Sequence, residues 1–388
     1  MDDIIAVLER SDRVVEIELS KVNGSNLEIV LAAMQVPFPE LTDLQLTSED
    51  GNLGLVSVLP DSFLGGSARR LQSLILEGIP FPGLPKLLLS ATHLVDLHLL
   101  NIPHSGYISP KAIVAVLSTL TSLKSLSLGF ESPLSRPDWA NRRLPPPTRS
   151  VLPVLSFFYF KGVCEYLEDI MNYIKAPQLD HLYIALFNQI VFETPQFIQF
   201  IGHSPILETF EKAIVVFSKY AARVRLSSQT SGHGTLNMTI PCIELDWQVS
   251  SMEQVCTSCL PLLPTLEDLY IYESPYSQPV WQDDIENKLW LELLRPFPAV
   301  KNLYLSEKFA SLITPALQEL TGGSTALAEV LPSLQTIFLE EEEFFQRSGT
   351  VQVSIQRFAA TRQASSNPIA ASLWGKSKED MENNYRSY

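Results

Sequence analysis

The chain has 388 residues and a formal net charge of −15, which disfavours binding to nucleic acids and to anionic membrane surfaces. Hydrophobic residues make up 46% of it, but no apolar run approaches the ~18 residues of a transmembrane helix. Four cysteines do not indicate a disulfide framework, and Met1-Asp2-Asp3 lacks the basic region of a secretory signal, so we expect a cytoplasmic or nuclear protein.

One hydrophobic pattern recurs along most of the chain: an apolar residue, two variable residues, a second apolar residue, one variable residue and a third apolar residue. A regular recurrence of this kind indicates a repeat architecture, and the alternation at its end favours a short strand. We therefore predict neighbouring parallel strands, with the pattern at residues 14–19, 41–46, 71–76, 94–99, 123–128, 155–160, 179–184, 266–271, 300–305 and 334–339, and a degraded copy at 207–210.

Segments with apolar residues at helical spacing separate these strands. We predict helices at residues 2–10, 26–34, 83–90, 110–120, 164–174, 195–202, 252–262, 283–294 and 312–320. Proline stands two residues before the first apolar position of many copies of the pattern. Because proline cannot continue a helix, we expect it to end the helix and force an extended entry into the strand. These prolines are Pro39, Pro153, Pro177, Pro205, Pro264, Pro298 and Pro332.

The alternation of helix and strand predicts an α/β fold, a right-handed leucine-rich-repeat solenoid (horseshoe) with parallel strands on the concave face and helices on the convex face. We assign residues 1–363 to this solenoid, with about 12 units. Within it, residues 131–150 form a basic, proline-rich inserted loop, and residues 211–251 form one distorted unit with strands at 223–226 and 236–240. Polar and charged residues dominate the end of the chain, so we predict a disordered tail at 364–388.

Side chains alternate along a strand, so the residues between the apolar positions of the pattern should point to the opposite face. In the first half of the chain these residues are acidic or small, and in the second half they are aromatic. Exposed aromatic side chains anchor protein interfaces, so we predict a partner-binding stripe on the concave face. Its predicted residues are Phe157, Tyr159, His181, Tyr183, Asp268, Tyr270, Tyr272, Asn302, Tyr304 and Phe338. The alternative is that these aromatic residues suit strands and cover one another across neighbouring strands.

No combination of residues indicates catalysis. Cys256-Thr257-Ser258-Cys259 has the spacing of half a zinc site, but no second pair of ligands accompanies it, so we expect buried structural cysteines. The six histidines are scattered, and we find no phosphate-binding glycine loop, nucleophile motif or zinc-protease motif. We therefore expect a protein that is not an enzyme and that has no catalytic residue, cofactor or metal.

The arginines and prolines of the inserted loop 131–150 leave two interpretations open. The loop is either a solvated insertion or a docking segment for an acidic partner or a proline-binding module.

Several segments carry a resemblance to a known family: Leu94-Val95-Asp96-Leu97-His98-Leu99, together with residues 4–14, 118–126 and 263–271. In this order they resemble the leucine-rich-repeat region of the F-box-like proteins of mushroom-forming (basidiomycete) fungi. The resemblance implies the substrate-recognition part of a Skp–cullin–F-box ubiquitin ligase receptor, whose repeats bind the protein to be ubiquitinated. The F-box itself is absent, so a Skp-type adaptor is an implied partner only if an F-box exists upstream. The alternative is a standalone leucine-rich-repeat interaction scaffold with no role in ubiquitination.

Overall fold

The computed structural model describes residues 2–49, 58–137, 149–188, 192–204, 210–228, 234–261, 263–282, 285–319, 330–340, 353, 355–360 and 369–374. The chain divides into two compact units, where the sequence had predicted one continuous solenoid over residues 1–363. The first unit comprises Met1–Phe187 with Glu193–Glu208, and the second comprises Asn188–Phe192 with Thr209–Tyr388. Both are mixed α/β, with sheets that are mainly parallel.

The first unit contains a parallel sheet whose strands pair in chain order. These strands are β1 (Glu16–Val22), β2 (Asp43–Ser48), β3 (Ser73–Glu77), β4 (Asp96–Ile102), β5 (Ser125–Phe130), β7 (Phe157–Gly162) and β9 (His181–Leu186). The short strands β6 (Ser150–Val151) and β8 (Ile174–Lys175) form a separate parallel pair. The helices are α1 (Asp2–Leu8), α2 (Gly24–Ala33), α3 (Leu84–Leu88), α4 (Pro110–Leu117), α5 (Cys164–Tyr173) and α6 (Pro195–Ile201).

The second unit contains a mixed sheet in the order β12-β11-β10-β13-β14-β15-β16. These strands are β10 (Lys212–Phe217), β11 (Ala221–Ser227), β12 (Thr235–Pro241), β13 (Asp268–Glu273), β14 (Asn302–Leu305), β15 (Thr336–Glu340) and β16 (Ala370–Trp374). Pairing is antiparallel between β10, β11 and β12, and parallel from β10 through β13 to β16. The helices are α7 (Leu245–Cys259), α8 (Asn287–Leu294) and α9 (Glu307–Glu319).

The third apolar position of the sequence pattern lies in register from strand to strand. Leu46 pairs with Leu76, Leu76 with Leu99, and Leu99 with Leu128, and all four side chains are buried. Because side chains alternate with a period of two, a slip of one residue would turn every one of these leucines to the other face. The predicted ladder of neighbouring parallel strands is thereby confirmed.

Each pattern begins in a turn and not in the strand itself. The amide of Leu41 donates to the carbonyl of Phe38 at 3.3 Å, which closes a turn with Pro39 in its second position. The fixed φ of proline suits that position of a β-turn. The same bond and proline precede β7, β9, β13, β14 and β15. The prolines were expected to force an extended entry, but they close a turn, and β2 begins only at Asp43.

Three predicted segments differ from the structure or fall outside its described part. Residues 211–251, predicted as one distorted repeat unit, contain an antiparallel set of three strands and the start of α7, although β11 and β12 cover the predicted strands. The tail 364–388 was predicted to be disordered, but β16 lies within it and pairs with β15. Of the inserted loop 131–150, residues 138–148 lie outside the described residues, as does most of the degraded copy at 207–210.

The buried strand positions pack against helices in each unit. In the first unit, the ring of Tyr166 in α5 lies 4.6 Å from Phe130 of β5 and 5.9 Å from Phe160 of β7. In the second unit, Phe309 of α9 lies 5.0 Å from Phe217 of β10. In the part of the chain that the structure describes, no helix is both long and apolar enough to cross a membrane.

Glu168 links the neighbouring helices α5 and α6. Its buried carboxylate accepts the backbone N–H of Gln196 at 2.9 Å and that of Phe197 at 2.8 Å. Both amides belong to the first turn of α6, where a helix offers no acceptor of its own and a negative charge is favoured. A side chain of one repeat therefore caps the helix of the next.

Replacing this carboxylate should destabilise the first unit. We expect Glu168→Ala to lower the free energy of unfolding by about 1–3 kcal/mol, because it leaves one buried and one partly buried N–H group without their acceptor. Chemical denaturation followed by circular dichroism measures the change. Glu28→Ala, on the exposed side of α2, is the matched control and should change little. Equal effects of the two substitutions would contradict the capping role.

Candidate protein-binding face

Strand residues that alternate with the buried leucines form a second face of each sheet, which we call the open face. In β2 this face carries Asp43 and Gln45, and in β14 it carries Asn302 and Tyr304. All four side chains are half-buried, whereas Leu44, between Asp43 and Gln45, is buried. The open face is therefore the part of the sheet where side chains remain available to a ligand.

Three aromatic rings of the second unit stack on this face, one from each of three neighbouring strands. The centroids of Tyr270 and Tyr304 are 4.1 Å apart with planes 6° from parallel, and those of Tyr304 and Phe338 are 4.5 Å apart at 7°. Their strand positions are register partners, so the rings are separated by about the strand spacing of ~4.8 Å. We call Tyr270, Tyr304 and Phe338 the aromatic stack.

Stacking covers ring faces and leaves each of the three side chains half-buried. Burial raises the pKa of Tyr304, a hydrogen bond with Tyr270 lowers it, and the charge of Asp268 raises it further. The rings cover one another across strands, as the alternative interpretation predicts, and remain partly exposed, while the binding interpretation stays a prediction.

Two predicted members of the stripe are buried, which corrects their assignment as exposed residues. Asp268 retains 8% of its accessible surface and Tyr272 retains 5%. Asp268 lies in register between Lys212 of β10 and Asn302 of β14, and the Asn302 amide donates to its carboxylate at 2.8 Å. Tyr272 is flanked in register by Val216 of β10. Pairing of β13 with β10, and at Asp268 also with β14, covers surface that a lone strand would expose.

The remaining predicted residues lie together on the open face of the first unit. Phe157 is the register partner of His181, and Tyr159 is that of Tyr183, with all four side chains half-buried. The Phe157 and Tyr183 rings lie 5.4 Å apart. Nε2 of His181 lies 3.4 Å from the carboxylate of Asp180, and its Nδ1 is buried without a hydrogen-bond partner in the described part of the chain.

His98 forms a polar cluster that the sequence analysis did not assign. Its Nδ1 lies 2.7 Å from Oγ of Ser127, and its Nε2 lies 3.5 Å from Oγ of Ser125. Burial lowers the pKa of His98, and the nearby charge of Asp96 partly opposes this. The alignment of alternate positions in β4 and β5 is what brings these residues together, and the repeat register could have identified them.

The cysteine pair is buried, as predicted for structural cysteines. Cys256 and Cys259 are free thiols on α7, and burial raises the pKa of Cys256, with the charges of Cys259 and Glu253 adding to the effect. A thiol held in its protonated form is a poor nucleophile and a poor metal ligand. Among the residues that the structure describes, no group of three His, Cys, Asp or Glu side chains could hold a metal ion.

One arginine of the inserted loop is docked on the helices. Arg149 donates from Nε to the backbone carbonyl of Asn172 at 3.0 Å, and from Nη2 to Gln199 at 2.7 Å and to Gln196 at 3.3 Å. Arg142 and Arg143, with the three prolines of the loop, lie outside the described residues. The two interpretations of the loop as a whole remain predictions.

Comparisons with known proteins add a similarity to a solved structure. No protein-family model matches the chain, and no curated protein matches it. Among solved structures, it matches the leucine-rich repeat-containing protein LegL7 from Legionella pneumophila, with 12% identity over 89% of this chain and 91% of that chain. The TM-score of 0.29 is too low for this similarity to support the fold assignment. The fold described above therefore rests on the geometry of its own strands and helices.

Protonation of His98 should make the first unit less stable at acidic pH. Since the folded pKa is lowered below the ordinary value of 6.5, the unfolded chain binds the proton more readily. The free energy of unfolding should therefore fall as the pH drops through this region. We expect His98→Gln to reduce the loss of stability between about pH 7.5 and about pH 5.5, measured by denaturant titration.

The exposed His93 provides the matched control. His93→Gln should retain the pH dependence of the unsubstituted chain. If His98→Gln and His93→Gln behave alike, the neutral form of His98 is not favoured by the fold.

Proposed function

We propose that this chain is a leucine-rich-repeat solenoid that binds a protein partner through its open face. The aromatic stack carries the proposal, because three half-exposed rings on a regular sheet form a larger apolar surface than isolated side chains do. The unshifted register of the buried leucines and the alternation of helix and strand support the solenoid assignment.

The geometry of the stack suits an interface. Its rings are held on paired strands and against one another, so little rotamer freedom remains to be lost when a partner binds. Polar pairs lie at the start of the same strands: Asn302 bonds to Asp268, and Lys301 pairs with Glu267 at 2.6 Å. An aromatic centre with a polar rim is the usual composition of a specific protein interface.

On the first two strands of the first unit, the open face carries acidic side chains and not aromatic ones. Glu16 and Glu18 are exposed on β1, and Glu16 is the register partner of Asp43 on β2. None of the salt bridges found among the described residues involves these three carboxylates. Neighbouring like charges favour a partner that brings basic groups to this surface.

A narrower proposal names the cellular role. On the resemblance to F-box-like proteins, the partner would be a substrate for ubiquitination, and the chain would be the substrate-recognition part of a ubiquitin ligase receptor in the cytoplasm or nucleus. The other candidate is a standalone interaction scaffold. In both cases the chain acts by binding and not by catalysis.

Disrupting the aromatic stack should weaken partner binding. We expect the double variant Tyr270→Ala/Tyr304→Ala to lose at least about tenfold in affinity, because aromatic anchors carry much of an interface's binding energy. Capture of partners by the full chain, identified by mass spectrometry and followed by affinity measurement, provides the test. Loss of ring stacking should cost about 0.5–1.5 kcal/mol of stability per pair, so thermal unfolding is measured alongside.

Tyr173→Ala, on helix α5, is the matched control and should leave partner binding unchanged. If the double variant folds and binds with unchanged affinity, the aromatic stack is not the binding surface. Co-purification of a Skp-type adaptor with the full-length protein would favour the ubiquitin ligase role, and partners without any such adaptor would favour the scaffold.

A further inference from the structure

Several large apolar side chains are exposed close together at one edge of the second unit. Tyr220, Trp247 and Tyr276 expose 61%, 56% and 74% of their surfaces, and Ile243 and Val280 are also exposed. We call these five residues the apolar patch. Single exposed apolar residues are ordinary on a protein surface, but a contiguous group marks an interaction site.

The topology of the sheet explains why these residues meet. Strands β10, β12 and β13 all run in the same direction, so their carboxyl ends lie at the same edge. Backbone bonds tie the segments that follow them: Lys219 donates to the carbonyl of Ser277 at 3.0 Å, and Cys242 to that of Tyr220 at 2.9 Å. Val280 forms a parallel bridge with Glu244.

A buried glutamine holds this edge in place. The side-chain amide of Gln248, which is fully buried, donates to the carbonyls of Ser218 and Cys242 at 2.8 and 2.7 Å. Next to it, the side-chain carbonyl of Gln282 accepts the N–H of Asp246 at 2.9 Å. A hydrogen-bonded framework therefore holds the backbone of the patch in place. Less conformational entropy is then lost when a partner binds.

The patch is large enough to form the centre of an interface. An aromatic side chain carries ~150–250 Å², so the exposed parts of three rings alone offer roughly 300–400 Å². The largest apolar patch on a typical monomer is ~300–600 Å² and is often functional. A standard interface buries about 800 Å² on each partner, so the patch supplies roughly half of that area and the surrounding rim has to supply the rest.

The rim of the patch carries charges of both signs. Nζ of Lys219 lies 5.2 Å from the centroid of the Tyr220 ring, and Nζ of Lys308 lies 4.8 Å from that of Trp281. Glu244 and Asp246 lie beside them at the start of α7. A rim of one sign would fit a partner of the opposite sign. A mixed rim is complementary to a second copy of itself when a two-fold axis places the lysines of one copy opposite the carboxylates of the other.

We propose that the apolar patch is a two-fold interface between two copies of this chain. The rings of one copy pack on those of the other, and the lysines and carboxylates of the rim pair across the axis. The interface lies at the edge of the sheet, away from the strand positions of the aromatic stack, so it is a surface separate from the open face. At about 0.15 M salt the net charge of −15 is screened beyond ~8 Å and does not prevent the association.

The oligomeric state of the full chain tests this proposal. Sedimentation velocity and light scattering from about 1 μM to about 1 mM should show a particle of twice the 43.4 kDa chain mass. Trp247→Ser and Tyr276→Ser should each weaken the dimer at least about tenfold, with circular dichroism confirming that they fold. Val280→Lys, which changes a third residue of the patch, provides an independent variant if either of these unfolds.

Matched controls are exposed apolar residues of the first unit. Val36→Ser and Leu89→Ser should leave the dimer unchanged. A chain that stays monomeric over the whole concentration range would overturn the proposal. The patch would then be a candidate site for a partner other than a second copy. The proposal would also be overturned if all three patch substitutions, like the controls, left the affinity of the dimer unchanged. The interface would then lie elsewhere.

Discussion

Burial of one leucine position in unshifted register, from strand to strand, is the constraint on which both parallel ladders depend. Leu46, Leu76, Leu99 and Leu128 lie side by side beneath the helices, and each strand contributes the same position. A slip of one residue would expose that row and bury the charged residues beside it. The turn closed by Phe38 and Leu41, and its copies before later strands, start each strand at the same point and so protect the register.

The same constraint determines where specificity can arise. Once alternate positions are committed to the core, the positions between them form the open face, and parallel pairing places equivalent residues about one strand spacing apart. This is why Tyr270, Tyr304 and Phe338 stack with nearly parallel planes. It is also why His98 meets Ser127 on the next strand. The repeat thus produces ordered rows of side chains, and the residue types in a row decide the chemistry.

The sequence predicted the features that come from local repetition, since each strand pairs with the strand of the neighbouring repeat. It missed features that depend on contacts outside the repeat pattern. Alternation assigned Asp268 and Tyr272 to the open face, but it could not show that their surroundings in the folded unit bury them. Strand β10 is a continuous apolar run after Lys212 and shows no alternation in its sequence, and the antiparallel set was mistaken for a distorted repeat. Strand β16 lacks the leucine pattern, and the apolar patch is built from loops, which have no period.

A cross-linking measurement tests the register most directly. Ser73 and Asp96 are register partners on β3 and β4, with Cα atoms expected ~4.8 Å apart, within the range that a disulfide spans. The double variant Ser73→Cys/Asp96→Cys should oxidise to an intramolecular disulfide, identified by peptide mass spectrometry. Ser73→Cys/His98→Cys, offset by two residues and about 8 Å apart, should form it poorly. Preferential cross-linking of the offset pair would contradict the β3–β4 register and, with it, the cross-strand neighbours that the register assigns on the open face of these strands.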